Sequence, residues 1–302
     1  MRTLHEPGGR RFGAGRFARA RLVLLAPAFL CALLLLSACG EKREPTGARV
    51  PLYPVSVRDA DQDTVTLAKA PTRIGVAGQA PARIAEALAI PVTRLGDNAG
   101  NLDLGLVQTL APQLIVAGSE VSDAALSQAR ALKTSVYVVP DHTLDGIEQA
   151  LSDVSLLAGV PIRGREVRTQ LVRTREDVKA AIAGTEPVRV FFDLGQFATV
   201  SDSSFIGSII REAGGIDIAG PDPQEGPFPL ERLLHLKPEV YVISSESPLT
   251  LADLRHYRRL KWLPAIRSGR FIRVNMSLLE PGPKAAAVLS DLARAFHPDA
   301  FR

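Results

Sequence analysis

The chain has 302 residues, 46% hydrophobic and 23% charged, with 24 Gly and 22 Pro, which is the composition of a globular protein and excludes bulk disorder. Its formal net charge of +4 is concentrated in residues 1–38, where Arg2, Arg10, Arg11, Arg16, Arg19 and Arg21 face Glu6 alone; the remainder is slightly negative. A nucleic-acid partner needs an excess of basic surface, so that class is excluded, and the length allows one large or two small domains, each with a proper core.

Behind the basic stretch, residues 22–38 form an uncharged run of 17 residues, LVLLAPAFLCALLLLSA, interrupted by Pro27. That is short for a membrane span of ~20 residues. The run ends in Leu36-Ser37-Ala38-Cys39-Gly40, which resembles the bacterial lipobox, where a signal peptide is removed ahead of a lipidated cysteine. Residues 1–38 are expected to be a lipoprotein signal peptide and Cys39 the lipidation site. The polar, turn-rich residues 39–50 then read as a tether. Cys31 and Cys39 are the two cysteines of the chain. Only the modified one would survive processing, which excludes a disulfide framework, a zinc–thiolate site and a cysteine nucleophile.

From residue 51 onward, short apolar runs alternate with helical patterns. The predicted strands are residues 73–77, 113–117, 135–139, 188–192, 239–243 and 270–274, rich in β-branched or aromatic residues and bounded by turn formers. Helix-period stretches lie between them, at residues 82–89, 124–132, 205–213 and 230–236. This alternation predicts an α/β fold with a mainly parallel sheet. An internal repeat sharpens the expectation. Residues 106–120 (LVQTLAPQLIVAGSE) match residues 232–246 (RLLHLKPEVYVISSE) at an offset of 126, pairing Leu110 with Leu236, Pro112 with Pro238, Ser119 with Ser245 and Glu120 with Glu246. Each copy reads as a short helix, a Pro that ends it, an apolar strand and a Ser-Glu tip. A second, weaker pair, residues 84–97 and 209–222, lies upstream in the same order. Between the copies, residues 164–184 form a helix-rich stretch with Val167, Leu171, Val178 and Ile182 on one stripe. At 1.5 Å per residue it makes a rod of about 30 Å, suited to join two lobes.

The lipobox, the APTRIGVAG opening of the first lobe, FIGSIIREAGGIDIAG and PLERLLHLKPEVYVI in the second, and the late KWLPAIRSGRFIRV and PGPKAAAVLSDLARAFHP resemble the class III solute-binding proteins of ABC importers. The resemblance implies two Rossmann-like lobes joined by a single long helix, with the ligand in the cleft between them. The expected division is a first lobe at 51–160, a connecting helix at 161–184 and a second lobe at 185–302. It also implies a lipid-anchored extracytoplasmic monomer that hands a metal chelate, a corrinoid or a ferric siderophore, to the transmembrane subunits of a permease. The rival expectation is a lipid-anchored scaffold or sensor that keeps the fold without transport.

An enzyme is not expected. The sequence has neither GxSxG nor GxxxxGK[ST], and its histidines lack the clustering a metal site needs; no cofactor and no metal are expected. The cleft should be built from loops at the C-terminal ends of the strands. In the first lobe these contribute Gln79, Asn98, Asn101, Glu120 and His142; in the second, Gln196, Phe197, Phe205, Phe228 and Glu246. Phe228, between two prolines, reads as exposed, Phe205 fits cleft or core equally, and Trp262 reads as packing. No tyrosine is expected in the cleft, since Tyr137 and Tyr241 fall within strands, Tyr53 near the tether and Tyr257 on a helical stretch. With no arginine in the loops either, a bulky, weakly charged corrinoid is favoured. The resemblance further implies a docking glutamate on the tip of each lobe, seven residues before the repeated Pro. Glu231 occupies that position in the second lobe, but Gly105 stands in the first, with Asp103 two residues earlier as a substitute.

Overall fold

Alternating burial marks the first two strands, β1 (Val55–Arg58) and β2 (Thr64–Leu67), an antiparallel pair whose inward residues are Val55, Val57, Val65 and Leu67. The computed structural model describes residues 52–220 and 226–302. The leader, Cys39, the tether and residues 221–225, in the stretch that leads to Phe228, lie outside them.

The first lobe continues with β3 (Ile74–Ala77), α1 (Gln79–Leu88), β4 (Thr93–Arg94), α2 (Leu104–Leu110), β5 (Leu114–Ala117), α3 (Asp123–Ala131), β6 (Ser135–Val138) and α4 (Leu144–Leu157). After α5 (Pro161–Ala181), the second lobe runs β7 (Val188–Asp193), α6 (Phe205–Glu212), β8 (Gly215–Asp217), α7 (Leu230–Leu236), β9 (Val240–Ser244), α8 (Leu251–His256), a 3-10 turn (Leu260–Trp262), α9 (Pro264–Ser268), β10 (Phe271–Val274) and α10 (Ala285–Phe296). Each lobe holds a four-stranded sheet with parallel neighbours, ordered β4-β3-β5-β6 and β10-β9-β7-β8. Numbered within its own lobe, each sheet has the order 2-1-3-4. The repeat is therefore a repeat of topology, and all six predicted strands are present.

The repeated unit is fixed by matching contacts. Both α2 and α7 end in a left-handed residue, Ala111 (φ 42) and Lys237 (φ 51), whose N–H groups bond Val107 O and Leu233 O. The repeated Pro follows each, because the ring can start a strand but cannot extend a helix. Arg73 and Arg189, at the heads of β3 and β7, donate to the carbonyls of those same residues.

The helix α5 starts at Pro161, in the first turn where a missing N–H costs nothing. It spans 21 residues and buries Leu171 and Val178. One core cluster takes in Val76, Leu114 and Tyr137 from the first sheet, Val190, Phe192 and Val240 from the second, and Leu171 and Val178 of α5 between them. Strands buried on both faces read as continuous apolar runs, which is why the sequence marked them. Arg175 on α5 ties the helices together, with its guanidinium against Asp145 and Glu148 on α4 and Glu212 on α6. A second tie joins α1 to the segment ahead of α10, through Arg83 with Glu280 and Glu86 with Lys284.

One open aromatic expectation is resolved and two are corrected. Phe205 follows the Ser204 cap and turns into the shared core. Phe228 is also buried, its ring 5.4 Å from that of Phe191, because its N–H is drawn to Phe197 O at 2.8 Å. Trp262 does the opposite and stands 66% exposed.

Candidate functional site

The two lobes treat the ends of their sheets differently. In the first lobe α1 begins at Gln79, two residues after the end of β3, with Gly78 (φ 104) as its N-cap and no side-chain bond from that cap. Glu120, from the tip of β5, supplies one instead: its carboxylate accepts the Gln79 N–H at 2.9 Å. A Cβ on Gly78 or Gly118 would lie 2.3 and 2.0 Å from that carboxylate, so either would push Glu120 off the helix start, and Gly78 (φ +104) also sits where other residues are strained. An anion at a helix N-terminus is favoured by its free N–H groups and its dipole. Glu120 and Gln79, both expected to face ligand, are thus joined to each other.

In the second lobe the residue that matches Glu120 is Glu246, and it is free of such a task. Residues 194–204 separate β7 from α6, where Gly78 alone separates β3 from α1, and the start of this longer connection, Leu194 to Phe197, lines a cavity. It is a pocket of about 870 Å³ lined by Leu194, Gln196, Phe197, Glu246, Leu249 and Tyr257, with Pro248, Asp253 and His256 beside them. Its volume lies within the ~300–1,000 Å³ of small-molecule sites, and apolar walls with a few polar groups are their usual lining.

Asp193, buried at the end of β7, builds the first wall. It accepts the N–H groups of Gly195 (2.8 Å) and Phe197 (3.0 Å) and the hydroxyl of Tyr241 (2.5 Å). Burial raises its pKa, against the lowering effect of those bonds. The turn it holds is closed by the bonds Leu194 N to Ala198 O and Ala198 N to Gly195 O. Gln196 (φ 53) and Phe197 (φ 63) are both left-handed in it, a conformation such side chains rarely adopt. Arg273 on β10 builds the other wall, donating to the carbonyls of Ser245, Ser247 and Leu249. Asp253 joins Thr250 in a capping box at the start of α8, and the Thr250 bonds hold its carboxyl below the usual range.

Of the ten expected ligand residues, this pocket brings together Gln196, Phe197 and Glu246. His142 lines a smaller cavity of about 380 Å³ in the first lobe, its Nδ1 3.0 Å from buried Asp141. Asn98 meets Arg94, and Asn101 meets Asp97. The expectation of a cleft without tyrosine is corrected, because Tyr257, half exposed, lies on the wall of the larger pocket. It follows the last turn of α8, and α8 packs back beside the β7 turn, which helical pattern alone does not reveal. Among the described residues no cluster of three or more His, Cys, Asp or Glu forms a metal site. Glu231 lies in the first turn of α7, exposed and paired in bidentate fashion with Arg259. Asp103 is the N-cap of α2, accepting the Leu106 N–H at 2.9 Å.

No protein-family model matches the chain. It is 22% identical over 317 residues to a curated cobalamin-binding protein of Halobacterium salinarum, covering 94% of this chain and 85% of that one. Among solved structures it is similar to the periplasmic heme-binding protein BhuT in complex with two hemes, with a TM-score of 0.64, 21% identity, and coverage of 78% of this chain and 100% of that one. It is likewise similar to the periplasmic vitamin B12 binding protein BtuF of Vibrio cholerae, with a TM-score of 0.64, 19% identity, and coverage of 77% and 98%. Two lobes of one topology, the helix that joins them and these likenesses give one conclusion: the chain has the fold of the class III periplasmic binding proteins.

Proposed function

We propose that the chain is an extracytoplasmic solute-binding protein, anchored through lipid on Cys39, that delivers a metal chelate to an ABC importer, with a corrinoid as the favoured ligand. The observation that carries this reading is the 870 Å³ pocket of the second lobe, built on an Asp193-braced turn and an Arg273-braced loop. Phe197, Leu194, Pro248 and Leu249 suit the apolar edges of a broad, flat ligand, and Gln196 and Glu246 suit amide or hydroxyl groups on its rim. The names of the Halobacterium and Vibrio relatives support the corrinoid. They also support a binder over an enzyme.

A second ligand, haem, is favoured by Tyr257 and His256 on the same wall, a phenolate or imidazole being the kind of group that ligates haem iron, and by the name of the BhuT relative. Thermal-shift and absorbance titrations with cyanocobalamin, a ferric hydroxamate and hemin separate the readings, since a bound ligand stabilises by RT ln(1 + [L]/Kd), about 2.7 kcal/mol at a hundredfold excess over Kd. A melting temperature that rises with cyanocobalamin alone is the expected result. A Soret shift with hemin, lost in Tyr257→Phe, assigns the pocket to haem. Silence across the series favours the scaffold or sensor.

A further inference from the structure

The surface corner formed by α8, the 3-10 turn and α9 has a face that ligand binding does not use. Residues 251–274 carry Arg255, Arg258, Arg259, Lys261, Arg267, Arg270 and Arg273 against the single acid Asp253. Three of these have structural partners: Arg259 holds Glu231, Arg270 the carbonyls of Ala295 and Phe296, and Arg273 the loop described above. Arg255, Arg258, Lys261 and Arg267 are exposed, and no ion pair is formed by them among the described residues.

Trp262 lies among them in the sequence, and its exposure is built in. A 3-10 turn has three residues per turn, so positions i and i+3 share a face. Leu260 and Leu263 take the inner face, 1% and 2% exposed in the core of the second lobe. Lys261 and Trp262 between them must therefore point outward, with the Lys261 ammonium 5.1 Å from the indole ring centre. A large ring held out of the core by well-packed neighbours, with a lysine ammonium beside it and exposed arginines on the flanking segments, has the chemistry of an interface between water and lipid. Tryptophan settles at headgroup depth there, and lysine and arginine attract anionic headgroups.

We propose that this corner, Arg255, Arg258, Lys261, Trp262 and Arg267, docks on an anionic phospholipid surface. Beside a lipid anchor, a basic patch adds electrostatic attraction to anionic headgroups and sets which face of the lobe meets the surface. The patch adjoins Glu231 through Arg259, so the tip that faces a permease would also rest on the bilayer around it. The inference is independent of which ligand the pocket takes.

Trp262 is the one tryptophan of the chain, so its emission reads this corner in the full-length protein even if the leader binds lipid on its own. Mixed phosphatidylcholine and phosphatidylglycerol vesicles are expected to shift that emission to the blue at about 0.1 M salt, where screening acts over ~10 Å, and to lose the shift near 1 M, where it acts over ~3 Å. Pure phosphatidylcholine should leave it unmoved. The triple variant Arg255→Ser, Arg258→Ser, Lys261→Ser should need roughly tenfold more anionic vesicle, or more, to reach the same Trp262 shift, with an unchanged melting temperature. No shift with anionic vesicles, an equal shift with neutral ones, or an undiminished Trp262 shift in the triple variant overturns the proposal. A shift produced by soluble polyglutamate and not by vesicles also overturns it and gives the patch to an acidic protein.

Discussion

Asp217 closes β8 with one carboxylate oxygen bonded to the Ala219 N–H at 3.0 Å and the other buried without a partner among the described residues. Burial is the main cause that raises its pKa to about 6, with Asp202 adding to it. A raised carboxyl pKa means that the folded state holds the proton more tightly than the unfolded chain. Stability from this group is complete below about pH 4 and is lost as pH rises through 6, by roughly 3 kcal/mol. Asp217→Asn, neutral throughout, should raise the melting temperature by several degrees at pH 7.5 and by nearly nothing at pH 4, as differential scanning calorimetry can check. A gain that does not change with pH would mean that the carboxylate is not buried in its charged form. The sequence did not single out Asp217, because its peculiarity is a missing partner. Phe228 shows the same blindness: flanking prolines suggested exposure, and one backbone bond to Phe197 reversed it.

Where helices touch, fit decides. Gly164 on α5 meets α4 so closely that a Cβ would lie 2.0 Å from Ser155 Oγ. Gly164→Val should cost roughly 1–3 kcal/mol, as over-packing usually does, read as a lower denaturant midpoint. Ser155→Gly in the Gly164→Ala background should return part of the loss, since residues in contact couple. Elements were legible where burial on both faces left an unbroken apolar run, as in β5 and β9. They were not where the determinant lies far along the chain. The start of α1 was expected at residue 82 and falls at Gln79 because its cap is Glu120, from another strand. The short strands β4 and β8 have too few residues for a pattern of their own and exist by pairing with β3 and β7.

Across the molecule, the repeat and the connecting helix made two like lobes legible, whereas the main pocket did not follow from them, because it arises where the lobes differ. The same asymmetry governs docking. Glu231 is the proposed contact with the permease, but Arg259 neutralises it in the free protein, and an exposed pair of this kind is worth little and can be exchanged. Glu231→Ala should lower transport several-fold while ligand Kd holds, and Arg259→Ala should leave transport at or above the normal rate. Asp103→Ala should fall between, with a small loss of helix stability from the missing cap. Gly105→Glu should fold, since its Cβ would come no closer than 3.3 Å to Asp103. Uptake and Kd measured on the four variants decide it; normal transport by Glu231→Ala would remove the glutamate from the docking surface.

The matched contacts of the two lobes amount to an alignment that the molecule carries within itself. Arg73 and Arg189, the left-handed Ala111 and Lys237, and Pro112 and Pro238 do the same mechanical work twice, so change at any of them should be tolerated poorly in either lobe. Glu120 and Glu246 are also the same letter at the same place, yet one locks a helix and the other faces open space. Once a duplicated half no longer needs a residue for its framework, that residue is free to vary, and the strand tips of the second lobe are where new specificities could be selected without rebuilding the rest.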